Sequence, residues 1–309
     1  MRKLLARLYG DKSVGSIRAY DAKSPLTQIL SVFFVLICAL IIVIVLLPVI
    51  WVVFAGFKDI RELNRSTSFF PASFDLSSYV KTWGQLHFTE HYINSFIVLI
   101  GGVFCAVIFN GLLAYALGIL RPPGYKIVFG LVMWTMLIPP TTSVVAQYLN
   151  IRSVVETLAG LMNVKSQETL LAVAPLWFIM GANAFWLVLF KQFFEELPKD
   201  YIEAATLDGC SDLRVFTHII LPLSKPIMMV VAIFAATAAW SDFLLPHLLL
   251  NNSRWSTVMV RLFEFRSAMR VNDTDRLRAV VFSIIPPIII FSLFQKQITS
   301  GIATGGIKG

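Results

Sequence analysis

The sequence predicts an all-α, polytopic membrane protein with about six transmembrane helices. Of its 309 residues, 57% are hydrophobic and only 14% are charged, and the mean hydropathy is +0.75. A typical soluble domain has about 25% charged residues, so the chain is too apolar for that class. Long windows without any charge recur along the chain, and a bilayer core of about 30 Å needs roughly 20 apolar residues in a helix.

The uncharged windows define the predicted spans. The first four windows are long enough to cross a bilayer, and the first is too long for a cleavable signal peptide. The fifth reaches that length only if it continues past Asp242 to Leu250. The sixth is short and carries Pro286-Pro287, so it must kink or extend into its flanks. The predicted spans are about 27–57, 91–120, 126–149, 169–191, 226–250 and 279–298.

The remaining sequence organises these spans into one transmembrane domain. We expect a basic tail at 1–25, the domain at 26–300 and a glycine-rich tail at 301–309. Residues 150–168 are expected to form an outer segment with a short amphipathic helix. Basic residues before the first span favour a cytoplasmic amino terminus, and an even number of spans then places both termini in the cytoplasm. The net charge of +8 is expected to meet lipid head groups rather than nucleic acid.

The polar loop 192–225 between the fourth and fifth spans has clear helix signals. Pro198 suits a first helical turn, and residues 199–208 are predicted to form a helix. Gly209 is placed to end this helix in a left-handed conformation. Ser211 is predicted to cap a second helix by accepting a backbone N–H.

The first loop helix has the spacing of a docking surface. Ile202, Ala205 and Gly209 recur at i, i+3 and i+7, which predicts that they face a groove on a partner. Glu203, beside that face, is predicted to pair with a basic residue of the partner. The alternative is an amphipathic helix that lies on the membrane surface.

The spacing of this loop resembles that of a known family. Glu203-Ala204-Ala205, Gly209, Ile219 and Leu221-Pro222 are similar to the E-A-A-x3-G-x9-I-x-L-P loop of permease subunits of bacterial binding-protein-dependent ABC importers. Further motifs resemble the carbohydrate-uptake branch, particularly the smaller permease of the maltose-importer type. These motifs are Asn94-Ser95, Ala114-Tyr115-Ala116, Gln192-Phe193-Phe194, Leu207-Asp208-Gly209, Trp240-Ser241-Asp242-Phe243 and Gly305-Gly306-Ile307-Lys308-Gly309.

The resemblance implies a multi-pass permease fold in a bacterial inner membrane. The implied function is ATP-driven import of a sugar or oligosaccharide delivered by an extracytoplasmic binding protein. The implied partners are a second, non-identical permease and two ATP-binding subunits, which would hold ATP and Mg while this chain binds no cofactor. The sequence has no G-x-x-x-x-G-K-[ST] phosphate loop, which agrees with a non-enzymatic role. The alternative is an importer of the same architecture for a polyol, a glycerol-phosphate diester or a uronate oligomer.

The resemblance also implies roles for particular residues. Those matching the loop motif are expected to couple the chain to the ATPase: Glu203, Ala204, Ala205, Asp208, Gly209, Leu221 and Pro222. The tail residues Gly305, Gly306 and Lys308 are expected to reach the ATPase interface.

Four polar residues within the spans are candidates for a translocation pathway: Asn94, Asn110, Asn183 and Asp242. An ionisable residue inside a span is a functional candidate by default, although a carboxylate near the outer interface would simply stay hydrated. The asparagines are equally explained by hydrogen bonds between helices.

Two further patterns suggest other functions. His87-Phe88-Thr89-Glu90-His91 spells H-x-x-E-H, in which His87 and His91 would bind zinc and Glu90 would activate water in a membrane zinc peptidase. The ordinary interpretation is a histidine pair at the membrane boundary. A run of arginines could attract an anionic solute, or it could be a solvated face. These arginines are Arg254, Arg261, Arg266, Arg270, Arg276 and Arg278.

Overall fold

The computed structural model describes residues 25–198, 200–250, 253–267 and 271–305. All regular secondary structure in these ranges is helical, as predicted. The helices are α1 (Pro25–Phe57), α2 (Ile60–Arg65), α3 (Ser77–Gln85), α4 (Phe88–Tyr115), α5 (Tyr125–Thr135), α6 (Pro140–Met162), α7 (Ala174–Gly181), α8 (Ala184–Glu195), α9 (Asp200–Leu207), α10 (Asp212–Val215), α11 (Lys225–Ser241), α12 (Leu244–Leu250), α13 (Val258–Ser267) and α14 (Asp273–Gly305). Two π-helical turns, Ala116–Leu120 and Phe216–Ile220, continue α4 and α10.

Several helices have the length and composition of membrane spans. Three candidate membrane-spanning helices are α1, α4 with its π-helical turn, and the Asp273–Gln295 part of α14. Two bent pairs raise the number to five if each pair is one span: the helical segment Leu170–Gly181, which includes α7, with α8, bent by 46°, and the helices Asp212–Leu223 with α11, bent by 80°. The chain is therefore a multi-pass membrane protein, as the composition predicted.

The predicted span 126–149 differs from the structure. Its helix stops at Thr135, and α6 begins only at Pro140. Pro139 holds an extended ψ of 130°, and the ring of Pro140 disfavours a helical conformation at the residue before it. The helix α6 then runs on to Met162, so the predicted outer segment 150–168 does not begin with a separate helix. No glycine or proline interrupts the sequence between 141 and 159.

The predicted span 226–250 is also broken. The helix α11 ends at Ser241, and α12 begins at Leu244. The break follows from Pro246, because a proline ring clashes with the carbonyl four residues earlier, which here belongs to Asp242. Asp242 lies at this break between α11 and α12, and a pathway role for it stays a prediction.

The helix α4 lies at the centre of the bundle and packs against α7, α8 and α11. Glycines allow the closest of these approaches. A Cβ atom on Gly101 would lie 2.2 Å from the Trp177 ring, and one on Gly102 would lie 2.4 Å from the Met180 sulfur. The Trp177 indole N–H also donates to the carbonyl of Ile97 on α4, at 3.1 Å. At these two positions, the backbone of α4 therefore lies directly against side chains of α7.

The first helix joins the bundle at its carboxyl end. The Arg278 guanidinium donates to the carbonyls of Gly56 (2.6 Å) and Lys58 (3.2 Å) and pairs with Asp275 at 2.6 Å. The Tyr79 hydroxyl donates to a further carbonyl of α1 at 2.9 Å. The most apolar 18-residue window of α1 has no buried residue. The polar contacts at one end therefore hold α1 to the rest of the described chain.

Candidate coupling site

The loop between α8 and α11 folds as a compact helical unit, here called the coupling knuckle (residues 200–223). Its first helix, α9, spans Asp200–Leu207, and Gly209 follows with a φ of +77°. The Cys210 N–H donates to the Ala205 carbonyl and the Gly209 N–H to the Thr206 carbonyl, both at 3.0 Å. This is the pattern of a Schellman helix end, in which the left-handed residue favours glycine. The predicted helix and its glycine terminator are confirmed.

The second helix of the knuckle begins after Ser211, but not through the predicted side-chain cap. Ser211 has extended backbone angles, and its side chain makes no capping hydrogen bond. Asp212 occupies the first turn, where the helix dipole favours a carboxylate. The helix continues through the π-helical turn Phe216–Ile220 and a last turn at Leu221–Leu223.

The face of α9 that was predicted to meet a partner points into the chain instead. Ala205 is 6% exposed, and the half-buried Ile202 packs in the same apolar cluster. Gly209 is exposed, but the Cys210 side chain beside it packs on that cluster too. The error has a physical cause. A helix of two turns carries small or apolar residues on both sides, so the i, i+3 spacing alone does not say which side is buried.

The outward face of the knuckle is formed by other residues. Leu207 is 88% exposed, and Tyr201 and Leu213 are also exposed. Among the residues expected to couple, Glu203, Ala204, Asp208 and Pro222 are exposed as well, whereas Leu221 is half-buried. Large apolar side chains exposed among carboxylates favour a docking surface over a fully solvated loop.

The inward side of the knuckle packs on α4 and α8. The Tyr115 ring at the end of α4 lies 5.2 Å from the Phe216 ring, centroid to centroid. The Tyr115 hydroxyl also donates to the Asp212 carbonyl at 3.2 Å. Phe190 and Phe194 of α8 complete the same buried cluster. The knuckle is therefore seated on the transmembrane bundle as one packed unit.

An ion-pair cluster near the base of the knuckle escaped the sequence analysis. Glu195, at the end of α8, accepts from Lys191 and from Arg121, each at 2.9 Å. The Lys191–Glu195 pair has the i, i+4 spacing of a helical ion pair and was visible in the sequence. The contact with Arg121 joins residues 74 apart, so only the fold brings it about.

The predicted pathway asparagines are engaged with the backbone. The Asn110 amide nitrogen donates to the carbonyls of Ala106 (2.7 Å) and Met180 (3.0 Å), and its oxygen accepts from the Asn183 N–H at 3.0 Å. The Asn183 side chain accepts from the Trp186 N–H and caps α8. Both side chains therefore stabilise the bend between α7 and α8.

Asn94 has the same kind of role at the other end of α4. Its amide nitrogen donates to the carbonyls of Arg254, at 2.7 Å, and Ser256, at 3.1 Å. These contacts favour the helix-bonding interpretation of the three asparagines, and a pathway role for them stays a prediction.

The structure gives no support to a zinc site at the H-x-x-E-H motif. His87 precedes α4 with a φ of +51°, so the two histidines do not share a helix. The His91 Nδ1 lies 2.9 Å from the Ser256 carbonyl oxygen. Within the described ranges, no three His, Cys, Asp or Glu side chains are grouped to hold a metal.

The glycine-rich tail remains untested. Gly305 is the last residue of α14, and Gly306 and Lys308 lie outside the described residues. Their expected position at an ATPase interface stays a prediction.

The apolar helices and the seated knuckle are features of a multi-pass transport permease. The chain matches the family described as "Binding-protein-dependent transport system inner membrane component" over residues 13–304. It belongs to this family, and the family resemblance drawn from the loop motif is confirmed.

Relatives and a solved structure agree with this assignment. The chain is 27% identical over 269 residues to the diacetylchitobiose uptake system permease protein NgcG of Streptomyces coelicolor, covering 86% of this chain and 85% of NgcG. It is 29% identical over 285 residues to the galactooligosaccharides transport system permease protein GanQ of Bacillus subtilis, covering 90% and 95%. The fold is similar to that of a chain in the crystal structure of a bacterial ABC transporter that imports alginate. That match has a TM-score of 0.73 at 23% identity and covers 88% of this chain and 98% of the other.

Proposed function

We propose that this chain is the permease subunit of an ATP-driven importer for a sugar or oligosaccharide. An extracytoplasmic binding protein delivers the solute, and a second, non-identical permease completes the pathway. Two ATP-binding subunits supply the energy and hold ATP and Mg. The observation that carries this proposal is the coupling knuckle, whose outward side exposes large apolar side chains among carboxylates and whose inward face is packed on the bundle.

The saccharide part of the proposal rests on the relatives. NgcG and GanQ are named for the uptake of diacetylchitobiose and galactooligosaccharides, and each is matched over most of its length. Identities of 27% and 29% support a shared class of solute but do not select one member of it.

The docking of an ATPase subunit rests on the exposed side of the knuckle. Leu207, Tyr201 and Leu213 offer apolar area, and the exposed Glu203 and Asp208 offer negative charge. A partner groove with an apolar floor and basic edges would match this surface. Closure of the ATPase dimer would then move the knuckle, and the knuckle would move the helices on which it is seated.

The test is a charge placed at Leu207, the most exposed of the apolar residues on the outward side of the knuckle. We expect Leu207→Asp to leave the chain in the membrane, because Leu207 makes no buried contact, while ATPase subunits dissociate on purification. The matched control is Leu161→Asp at the end of α6, where a leucine 80% exposed lies outside the knuckle. Proteoliposomes with the complete transporter would be supplied with a labelled mixture of diacetylchitobiose and galactooligosaccharides.

The two parts of the proposal have separate outcomes in this experiment. ATP-dependent uptake of one of these sugars by the unaltered complex supports the saccharide importer. A complex that takes up neither sugar counts against it. Retention of the ATPase by Leu207→Asp at the level of Leu161→Asp would show that the knuckle is not the docking surface.

A further inference from the structure

Two buried polar side chains of α4 reach different parts of the molecule. Tyr115 is 4% exposed and contacts the knuckle, and Asn110 is 1% exposed and contacts the bend between α7 and α8. Five residues separate them along the helix, or roughly 7.5 Å at a rise of about 1.5 Å per residue. One short, rigid stretch of α4 therefore touches both the coupling knuckle and the break in a neighbouring span.

The contact with the knuckle is both polar and apolar. The Tyr115 hydroxyl donates to the Asp212 carbonyl in the first turn of α10, and its ring packs on Phe216. A movement of α10 must either carry the end of α4 with it or give up this part-buried hydrogen bond. A buried group left without its partner is destabilising.

The contact with the bend involves both of its sides. Asn110 donates to the carbonyl of Met180 near the end of α7 and accepts from the N–H of Asn183 just before α8. The axes of the two helical segments differ by 46° across this break. A shift of Asn110 therefore changes the support of both arms of the bend at once.

Both contacts with the knuckle lie beside non-α turns. The π-helical turn Ala116–Leu120 follows Tyr115 directly, and Phe216 begins the π-helical turn of the knuckle. Such turns are rare, break the regular hydrogen-bond ladder and are frequent at functional positions. They allow the two elements to change their local geometry while the Tyr115 contact is kept.

We infer that Tyr115 and Asn110 are positioning residues that carry movement of the coupling knuckle through α4 to the bend between α7 and α8. The inference rests on the proposed function, since it assumes that nucleotide binding by a partner ATPase moves the knuckle. It assigns to Asn110 a mechanical role in place of the predicted contact with solute.

The experiment follows the bend directly and needs no solute. A reporter cysteine replaces Phe185, an exposed residue two positions beyond the break. Its rate of modification by N-ethylmaleimide is measured by peptide mass spectrometry in the complete transporter, without nucleotide and with MgATP and vanadate. We expect the rate to change about fivefold or more in the parent, a coupling of ordinary size.

The test variant is Tyr115→Phe, which keeps the ring and removes the hydroxyl. We expect the nucleotide-dependent change at the reporter to be lost, while ATP hydrolysis continues. The matched control is Tyr92→Phe on the same helix, because the Tyr92 hydroxyl also donates to a distant backbone carbonyl, that of Phe282. This control should keep the full change. Asn110→Ala should lose it as Tyr115→Phe does.

The outcomes separate this inference from the proposed function. The inference would be overturned if MgATP and vanadate left the modification rate of the reporter cysteine unchanged in the parent. It would also be overturned if the rate in the Tyr115→Phe variant changed as it does in the parent. Failure of the proposed importer would appear elsewhere, as a complex that neither retains ATPase subunits nor takes up saccharide. If Asn110→Ala does not fold, Tyr115→Phe still decides the question.

Discussion

Arg278 is 7% exposed, and its guanidinium has a partner on each of its three nitrogens. Two of these partners are carbonyls at the end of α1, and the third is the Asp275 carboxylate, which also accepts from the Thr82 hydroxyl at 2.9 Å. A buried guanidinium is tolerated only when such bonds replace its water. At the scale of one residue, Arg278 therefore determines where α1 joins the bundle.

The variant Arg278→Ala tests this role. It would leave the carbonyls of Gly56 and Lys58 without their donor and Asp275 without its counter-charge. We expect a loss of about 3 kcal/mol in the free energy of unfolding, measured by SDS denaturation in mixed micelles.

A matched ion pair on the surface provides the control for Arg278. Arg152 and Glu156 pair at 2.7 Å, but both side chains are 59% exposed. Arg152→Ala should therefore lower the free energy of unfolding far less than Arg278→Ala does. Equal losses in the two arginine variants would contradict the structural role of Arg278.

The arginine run shows what the sequence reveals at this scale and what it does not. Composition and spacing placed Arg278 among six arginines that were interpreted together, either as an attraction for an anionic solute or as a solvated face. Its burial depends on the end of α1, 220 residues away in the chain. The Asn110 contacts with α7 and α8 likewise cross 70 residues or more. Sequence spacing can identify polar residues in spans, but not which backbone groups they meet.

At the scale of elements, the contact between α4 and α7 depends on two adjacent glycines with unlike neighbours. The Trp177 ring beside Gly101 is fixed by its hydrogen bond to the Ile97 carbonyl. The Met180 sulfur beside Gly102 belongs to a flexible chain that can move aside. The same added methyl group should therefore have different effects at neighbouring positions.

The prediction is that Gly101→Ala lowers the free energy of unfolding by about 2 kcal/mol, through overpacking against a ring that cannot shift. Gly102→Ala should stay within about 1 kcal/mol of the parent, because the gain in helix propensity offsets the cost of moving Met180. Gly130→Ala, with no neighbour within 4 Å, should be neutral or stabilising. The free energies of unfolding of all three variants are measured by denaturation in mixed micelles. A Gly102→Ala or Gly130→Ala variant that loses more stability than Gly101→Ala would contradict the prediction.

The elements also show how far sequence patterns extend. The end of α9 at Gly209 was predictable because a left-handed helix end selects glycine locally. The break at Asp242 has a local cause in Pro246, four residues later. The apolar residues on both sides of Asp242 nevertheless suggested a single continuous span. The buried face of α9 was not predictable, since it is decided by Phe194 and Tyr115, which lie outside the loop helices.

At the scale of the whole molecule, α4 with its π-helical turn fixes which regions lie on opposite sides of the membrane. It spans 33 residues, or about 50 Å, which exceeds a bilayer core of about 30 Å. Residues 58–86 adjoin its amino end, and the knuckle and the turn at 121–124 adjoin its carboxyl end. The two groups must therefore face different compartments.

A docking site for an ATP-binding subunit is useful only in the cytoplasm, so the carboxyl end of α4 should face inward and residues 58–86 outward. In right-side-out vesicles, a membrane-impermeant maleimide should modify Thr67→Cys, an exposed position within residues 58–86. It should modify Pro123→Cys, exposed in the turn after α4, only once detergent has opened the vesicles. Peptide mass spectrometry distinguishes these sites from the three native cysteines. The reverse pattern would place the knuckle outside, where no ATPase subunit could reach it, and the proposed energy coupling would then be untenable.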